Sequence, residues 1–382
     1  MTGGMQRPVI WFSIFDWWTS SHGHSDFQLA LRLAATRPVL FVNTIGLRVP
    51  RLGKTERVWR RVMRKVRSAA HGLARPVDNL TGFSVLSLVA PPVFNGFGGG
   101  VALHAAIAQV RFALSLRAML DPVCVVTVPT ALPLAESLSP GRIIYYRSDD
   151  HSAFAEANPA VASLERRLLA EAQVVLYAAR HLMAREIERT GDRAFHLEHA
   201  VDPAVFHPGV APDTAIAGLP APRIGFFGAL RGHAVDFDLL GRVADRIAPG
   251  SLVLMGDRSD HLGDLAARPN VHLLAPRPHA AMPSCWSALS AAILPYRQTA
   301  WTWGIDPIKL REAMAMGLPI LGTAIPATVA HADRVDIVDP AKDFGEALAS
   351  ALSRPRPVET TGAAIPTWSD RATALAQIID RM

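Results

Sequence analysis

Short apolar runs rich in Val, Ile and Leu recur along this chain, separated by longer stretches of Ala, Leu and Arg at helical spacing. That alternation constrains the fold more than any other feature. In the first half the strand candidates are Pro8 to Phe12, Val39 to Asn43, Phe83 to Val89, Val123 to Val128, Ile143 to Tyr146 and Val174 to Tyr177. In the second half Arg223 to Phe227, Leu252 to Met255, Val271 to Leu274 and Ala291 to Leu294 repeat the pattern. A strand that is apolar on both faces must be covered on both, which is the situation of parallel sheets flanked by helices. With 382 residues, half of them hydrophobic, the chain can bury enough core for about two such domains.

Cys124 and Cys285 lie far apart, and Cys124 falls inside an apolar run, so both read as core thiols in a reducing compartment. The opening residues lead straight into a strand without a secretory leader, and no unbroken apolar run reaches the roughly 20 residues that span a bilayer. Cytosolic residence is the expectation. The net charge of +6 is concentrated between Arg48 and Arg75, where Arg60, Arg61, Arg64 and Lys65 stand in a run whose single acid is Glu56. Trp59, Val62, Met63 and Val66 recur there at helical spacing, which predicts a basic amphipathic helix on an anionic membrane surface. No zinc-finger spacing or RNA-binding aromatic signature accompanies the charge, so nucleic acid is not expected as a partner. Phe94 to Gly100 fails the spacing of a phosphate loop, because Val101 stands where a glycine is required; it reads as a loop opening a helix from Val101 to Leu120.

The most informative stretch is Ala291 to Tyr296 followed by Asp306 to Ile320. It reads as a strand, a loop, a short helix and a further strand opened by Gly317 and Pro319. Lys309 and Glu312 stand three apart, on one face of that helix and at its positive end, where phosphate is welcome. A Pro-x-Lys-x-x-Glu segment before Ala-x-Gly-x-Pro resembles the donor-binding motif of GT-B glycosyltransferases, of the family 4-like and glucuronosyltransferase branches. His199 to Pro208 is similar to the Asn-Gly-Val-Asp-x-x-x-Phe-x-Pro signature at the end of the N-terminal domain in many such enzymes, with His-Ala for Asn-Gly. Pro366 to Ala372 resembles the start of their Trp-containing last helix.

The resemblance implies two Rossmann-like domains facing a cleft: residues 1–208 for the acceptor, a linker at 209–222, residues 223–360 for the nucleotide sugar, and residues 361–382 crossing back to the first domain. It gives Lys309 to the donor pyrophosphate and Glu312 to ribose or sugar hydroxyls, with Gly228, Arg231 and Tyr296 close by. Glycosyl transfer also needs a base for the acceptor hydroxyl. Asp149 and Asp150 follow the strand Ile143 to Tyr146 and resemble the region that supplies it in inverting glucuronosyltransferases; Asp150 is preferred, and either could instead cap a helix. His22 and His24, in the loop after the first strand, are competing bases or acceptor contacts. Retaining family 4 enzymes carry a Glu eight residues before the position of Glu312, and Gly304 stands there, which tilts the expectation toward inversion. No metal-ligand spacing is evident, and no cofactor is expected beyond the nucleotide sugar itself, a UDP sugar. The expected acceptor is a polyprenyl-diphosphate-linked saccharide at the inner face of the cell membrane, in exopolysaccharide or capsule synthesis. An epimerase or phosphorylase on the same fold, or a non-catalytic surface-binding protein, stands as the alternative.

Overall fold

The computed structural model describes residues 6–43, 66–89, 99–150, 159–257, 261–354 and 365–382. The chain divides into two compact units, Met1–Glu198 with Trp368–Met382, and His199–Thr367.

The first unit is built on β1 (Val9–Phe12), β2 (Val39–Val42), β3 (Leu73–Ala74), β4 (Phe83–Leu86), β5 (Val123–Val126), β6 (Ile143–Arg147), β7 (Val174–Tyr177) and β8 (Ala194–His196). They form one eight-stranded sheet in the order β3-β4-β2-β1-β5-β6-β7-β8. All neighbours are parallel except β3 against β4. Every residue of β1, β2, β4, β5, β6 and β7 is buried, as a sheet covered on both faces requires. The last helix, Trp368–Asp380, packs on helix Ser25–Leu33. Arg37 and Asp380 join the two by a paired guanidinium–carboxylate contact at 3.0 and 3.1 Å.

The second unit carries β9 (Arg223–Phe227), β10 (Ser251–Met255), β11 (Val271–Leu274), β12 (Ala291–Leu294), β13 (Ile320–Thr323) and β14 (Val335–Val338). They form a six-stranded parallel sheet in the order β11-β10-β9-β12-β13-β14. The strand order reverses between β9 and β12, and a crevice opens at the carboxyl end of such a switch point. In the first unit the switch lies between β1 and β5.

Two expectations shift. The stretch 209–222, read as a linker from its Pro and Ala content, belongs to the second unit, whose boundary falls at residues 198 and 199. It is tied down: Asp213 caps helix Thr214–Ala217, its backbone N–H donates to Ser284 at 2.9 Å, and Ser287 donates to the Val210 carbonyl at 2.5 Å. The helix expected over Val101 to Leu120 runs instead over Gly99–Leu116, and left-handed Ala118 and Asp121 follow it. By length and composition that helix is, among the described residues, long and apolar enough to cross a bilayer, although His104, Gln109 and Arg111 interrupt it and no unbroken apolar run forms. Arg60, Arg61, Arg64 and Lys65 lie outside the described residues.

Candidate functional site

The second unit builds its site from loops at the carboxyl edge of its sheet. After β9 the chain turns at Gly228, whose N–H donates to the Met255 carbonyl at 2.8 Å; Leu230 N–H then donates to the Asp257 carbonyl at 2.9 Å. Gly256 holds a φ of +154°, and a Cβ there would lie 1.9 Å from the Gly228 carbonyl oxygen, so the loops after β9 and β10 touch through bare backbone. On the other side of the switch point, Tyr296 follows β12. Its carbonyl accepts the Thr323 hydroxyl at 2.6 Å, and it bridges to Val235.

Helix Ile308–Ala315 starts over this crevice. The loop before it is fixed by Asp306, whose carboxylate accepts the His199 N–H at 3.0 Å and pairs with Arg311 at 2.5 Å. Burial alone would raise the Asp306 carboxyl, but the charges of Arg311 and His199 and the His199 amide hold it below the usual carboxylate range.

Lys309, in the first turn, lays its side chain across Gly228: a Cβ on that glycine would sit 2.8 Å from Cε and 3.0 Å from Nζ. The ammonium lies 5.7 Å from the Phe226 ring centroid and 6.0 Å from that of Tyr296, within cation–π range. Among the described residues no carboxylate pairs with it. Gly228, Tyr296 and Lys309 are therefore brought together at the switch point. Arg231, three residues beyond Gly228, faces Asp257 at 3.7 Å, and both side chains are largely exposed, so that pair restrains it weakly.

Glu312 is buried one turn along the same helix. Its carboxylate accepts Trp286 Nε1–H at 3.1 Å and stands 3.4 Å from His279 Nε2. A carboxylate has about four acceptor positions, so two remain for hydroxyl donors. Trp286 and His279 were not singled out from the sequence. His279 follows β11 on the same edge of the sheet, the one signal that could have found it.

Asp149 and Asp150 follow β6, as expected, but the structure gives Asp150 a different occupation. Arg147, buried at the end of β6, donates to Glu186 twice at 2.8 Å, to Glu165 at 2.5 Å and to Asp150 at 3.1 Å. The other oxygen of Asp150 binds Arg185. Asp150 is thus a buried counter-ion held by two guanidiniums, and as a proton acceptor for a substrate it would first have to surrender them. Burial pushes the Glu165 carboxyl above its ordinary value even with Arg147 beside it, and Tyr145 donates to it at 2.9 Å. Asp149 is only half-buried, and its carbonyl accepts Arg147 at 3.1 Å.

His22 is exposed, with Nε2 2.9 Å from the Trp17 carbonyl, and His24 stacks on Phe15 with ring centroids 3.8 Å apart. Their loop is anchored across the first unit's switch point by Asp26. It accepts Ser13 from the end of β1 at 2.6 Å and Thr127 from the end of β5 at 2.8 Å. Burial raises the Asp26 carboxyl above its ordinary range.

Residues 221–354 match the family described as glycosyl transferases group 1. The chain is also 24% identical over 178 residues to the putative teichuronic acid biosynthesis glycosyltransferase TuaH of Bacillus subtilis (strain 168), a match spanning 44% of this chain and 44% of that protein. Across 98% of this chain and 94% of the other, the fold superimposes on sucrose-phosphate synthase from Thermosynechococcus elongatus with a TM-score of 0.64 and 14% identity. Across 97% and 95% it superimposes on Anabaena Alr3699/HepE in complex with UDP and glucose, with a TM-score of 0.59 and 13% identity. The chain has the GT-B fold, and residues 221–354 of its second unit match a group 1 glycosyl transferase domain. In this GT-B chain the crevice beneath Lys309 lies inside the matched domain, while Asp26, Asp149 and the two histidines lie outside it.

Proposed function

We propose that the chain transfers a sugar from a UDP sugar to a lipid-linked saccharide of the polyprenyl diphosphate type, in the synthesis of a surface polysaccharide. The observation that carries this reading is the Lys309 ammonium, without a carboxylate partner among the described residues. It sits over a glycine turn at the start of a helix within the group 1 domain. A cation, a helix N-terminus and bare backbone together offer a diphosphate both charge and N–H donors. The same groups take up the negative charge that develops on the departing nucleotide, with Arg231 as a second cation.

Glu312 holds the remaining hydroxyls of the donor with its two unused acceptor positions. Gly304 offers no carboxylate where a retaining enzyme of the resembling family has one, and Asp306 is already committed to Arg311, which favours inversion. Inversion needs a base; Asp149, which is less buried than Asp150 beyond the same strand, takes that part, since Asp150 is held between Arg147 and Arg185. The polysaccharide context is supported by the relative named for teichuronic acid biosynthesis. The lipid-linked acceptor and the inner membrane face rest on the basic run from Arg48 to Arg75.

Calorimetry with UDP and a panel of UDP sugars tests the donor half. Saturable binding of one UDP sugar, lost in Lys309→Ala, is expected; absence of binding to every nucleotide sugar would overturn the reading. Asp149→Asn should bind the donor as wild type does and fail to transfer. Full transfer by that variant would remove Asp149 from the mechanism.

A further inference from the structure

Helix Gly99–Leu116 presents to solvent the face that a surface helix ordinarily makes polar. Its buried side, Ala106, Val110 and Ala113, packs on the first unit beside helix Leu132–Leu138. On the opposite side Val101, Ala105, Ala108, Phe112 and Leu116 follow one another at steps of four, three, four and four residues, forming one stripe along the helix. Val101 is 77% exposed, Phe112 66% and Leu116 57%. The helix contains no Asp or Glu. An apolar stripe of this length on a solvent face marks a docking surface.

The charges bordering it are positive. Arg111 lies on the exposed side of the helix and Arg117 just beyond its end, and Arg75 is near enough to Arg117 for the two charges to repel. Among the described residues none of the three makes an ion pair. A second copy of the chain docking here in a two-fold contact would bring these guanidiniums together, and the run from Arg48 to Arg67 is itself basic; like charges oppose both occupants. An anionic lipid surface satisfies both features at once, taking apolar side chains among its acyl chains and guanidiniums at its phosphates.

We propose that the outward face of helix Gly99–Leu116 is where the first unit docks on an anionic bilayer, with the helix lying along the surface. This rests on the membrane-face reading of the function and adds to it a second, apolar element independent of the run containing Arg60 and Lys65.

The test is flotation of the full chain with phosphatidylcholine vesicles, with and without phosphatidylglycerol. Wild type should float with the anionic vesicles. Phe112→Glu combined with Leu116→Glu should weaken that partition by roughly tenfold or more, as the loss of two inserted side chains implies, with unchanged thermal unfolding and UDP binding. Since Cys124 and Cys285 are buried, Phe112→Cys can be labelled selectively with an environment-sensitive dye, and brominated lipid should quench it. Wild-type partition in the double variant, or a dye that lipid does not quench, overturns the proposal. A wild-type dimer that the double variant splits also overturns it, assigning the face to self-association. No flotation of wild type would overturn both this inference and the membrane reading, while UDP-sugar binding would still report on the donor site separately.

Discussion

Replacing Gly228 by alanine tests whether this glycine serves the ligand or the lysine. The new Cβ would meet Lys309 Cε at 2.8 Å, Lys309 Nζ at 3.0 Å and Phe226 Cζ at 3.1 Å. Carbon atoms normally rest about 3.5–4.0 Å apart, so the end of Lys309 must retreat by roughly 0.7 Å or more. It is the far end of a flexible side chain and can do so, with the Phe226 ring giving by a few tenths of an ångström, for about 1 kcal/mol or less of stability. A hydrogen bond from an ammonium to a phosphate contributes about 1.5–3 kcal/mol, so Lys309→Ala should weaken UDP roughly 10- to 150-fold. Displacing the ammonium forfeits part of that, and Gly228→Ala should cost roughly 3- to 10-fold. The decisive measurement is the double variant by calorimetry. If the glycine acts by making room for the lysine, Gly228→Ala has no further effect once Lys309 is alanine. Equal losses in both backgrounds would refute the argument and leave the glycine acting through direct approach of its own backbone to the ligand.

Gly256→Ala presses on backbone instead of a side-chain end, since its Cβ would lie 1.9 Å from the Gly228 carbonyl at a φ of +154°. It should lose about 3 kcal/mol or more in urea unfolding, well beyond Gly228→Ala. Arg147→Met leaves Glu165, Glu186 and Asp150 buried without their shared cation, and about 3–5 kcal/mol should disappear from the same measurement. A loss under about 1 kcal/mol would mean that the cluster relaxes by admitting water or protons. The acid limb of stability separates two buried carboxyls. Asp306 sits below its ordinary value of 3.8 when folded, so its contribution is complete above that pH and is lost as pH falls through the folded value; Asp306→Asn should flatten this part of the curve. Asp26 sits above 3.8 when folded, so stability falls as pH rises from 3.8 through the folded value, and Asp26→Asn should remove that fall.

How much of this could be read from the sequence depended on how local each feature is. The buried strands announce themselves because four consecutive apolar residues have few other uses, and Lys309 and Glu312 share a helix face by spacing alone. β3 gave no such signal: it is two residues long and follows a run of arginines. The stretch 209–222 looks flexible in composition, yet Asp213 and the Val210 carbonyl are held by Arg277, Ser284 and Ser287, 64 to 77 residues on. The partners of Glu312 come from helix Met282–Ser287 and the turn before it, which no pattern near Glu312 discloses.

The acidic pair after β6 shows where reading by position fails on physical grounds. A carboxylate at the carboxyl end of a parallel strand is well placed for catalysis, and equally for neutralising a cation that the strand itself buries. What distinguishes the two is the number of guanidiniums already on its oxygens. For Asp150 that number comes from Arg147, three residues back on the strand, and from Arg185, on a helix beyond β7. Arg147 in turn is neutralised by Glu186 from that same helix and by Glu165 from the helix before β7, so the fate of Asp150 is decided by a strand and two helices at once. Asp149 is half-buried, and its carbonyl accepts from Arg147. Of two adjacent carboxylates at a strand end, the buried arginine takes the second here, and position along the chain alone does not disclose which.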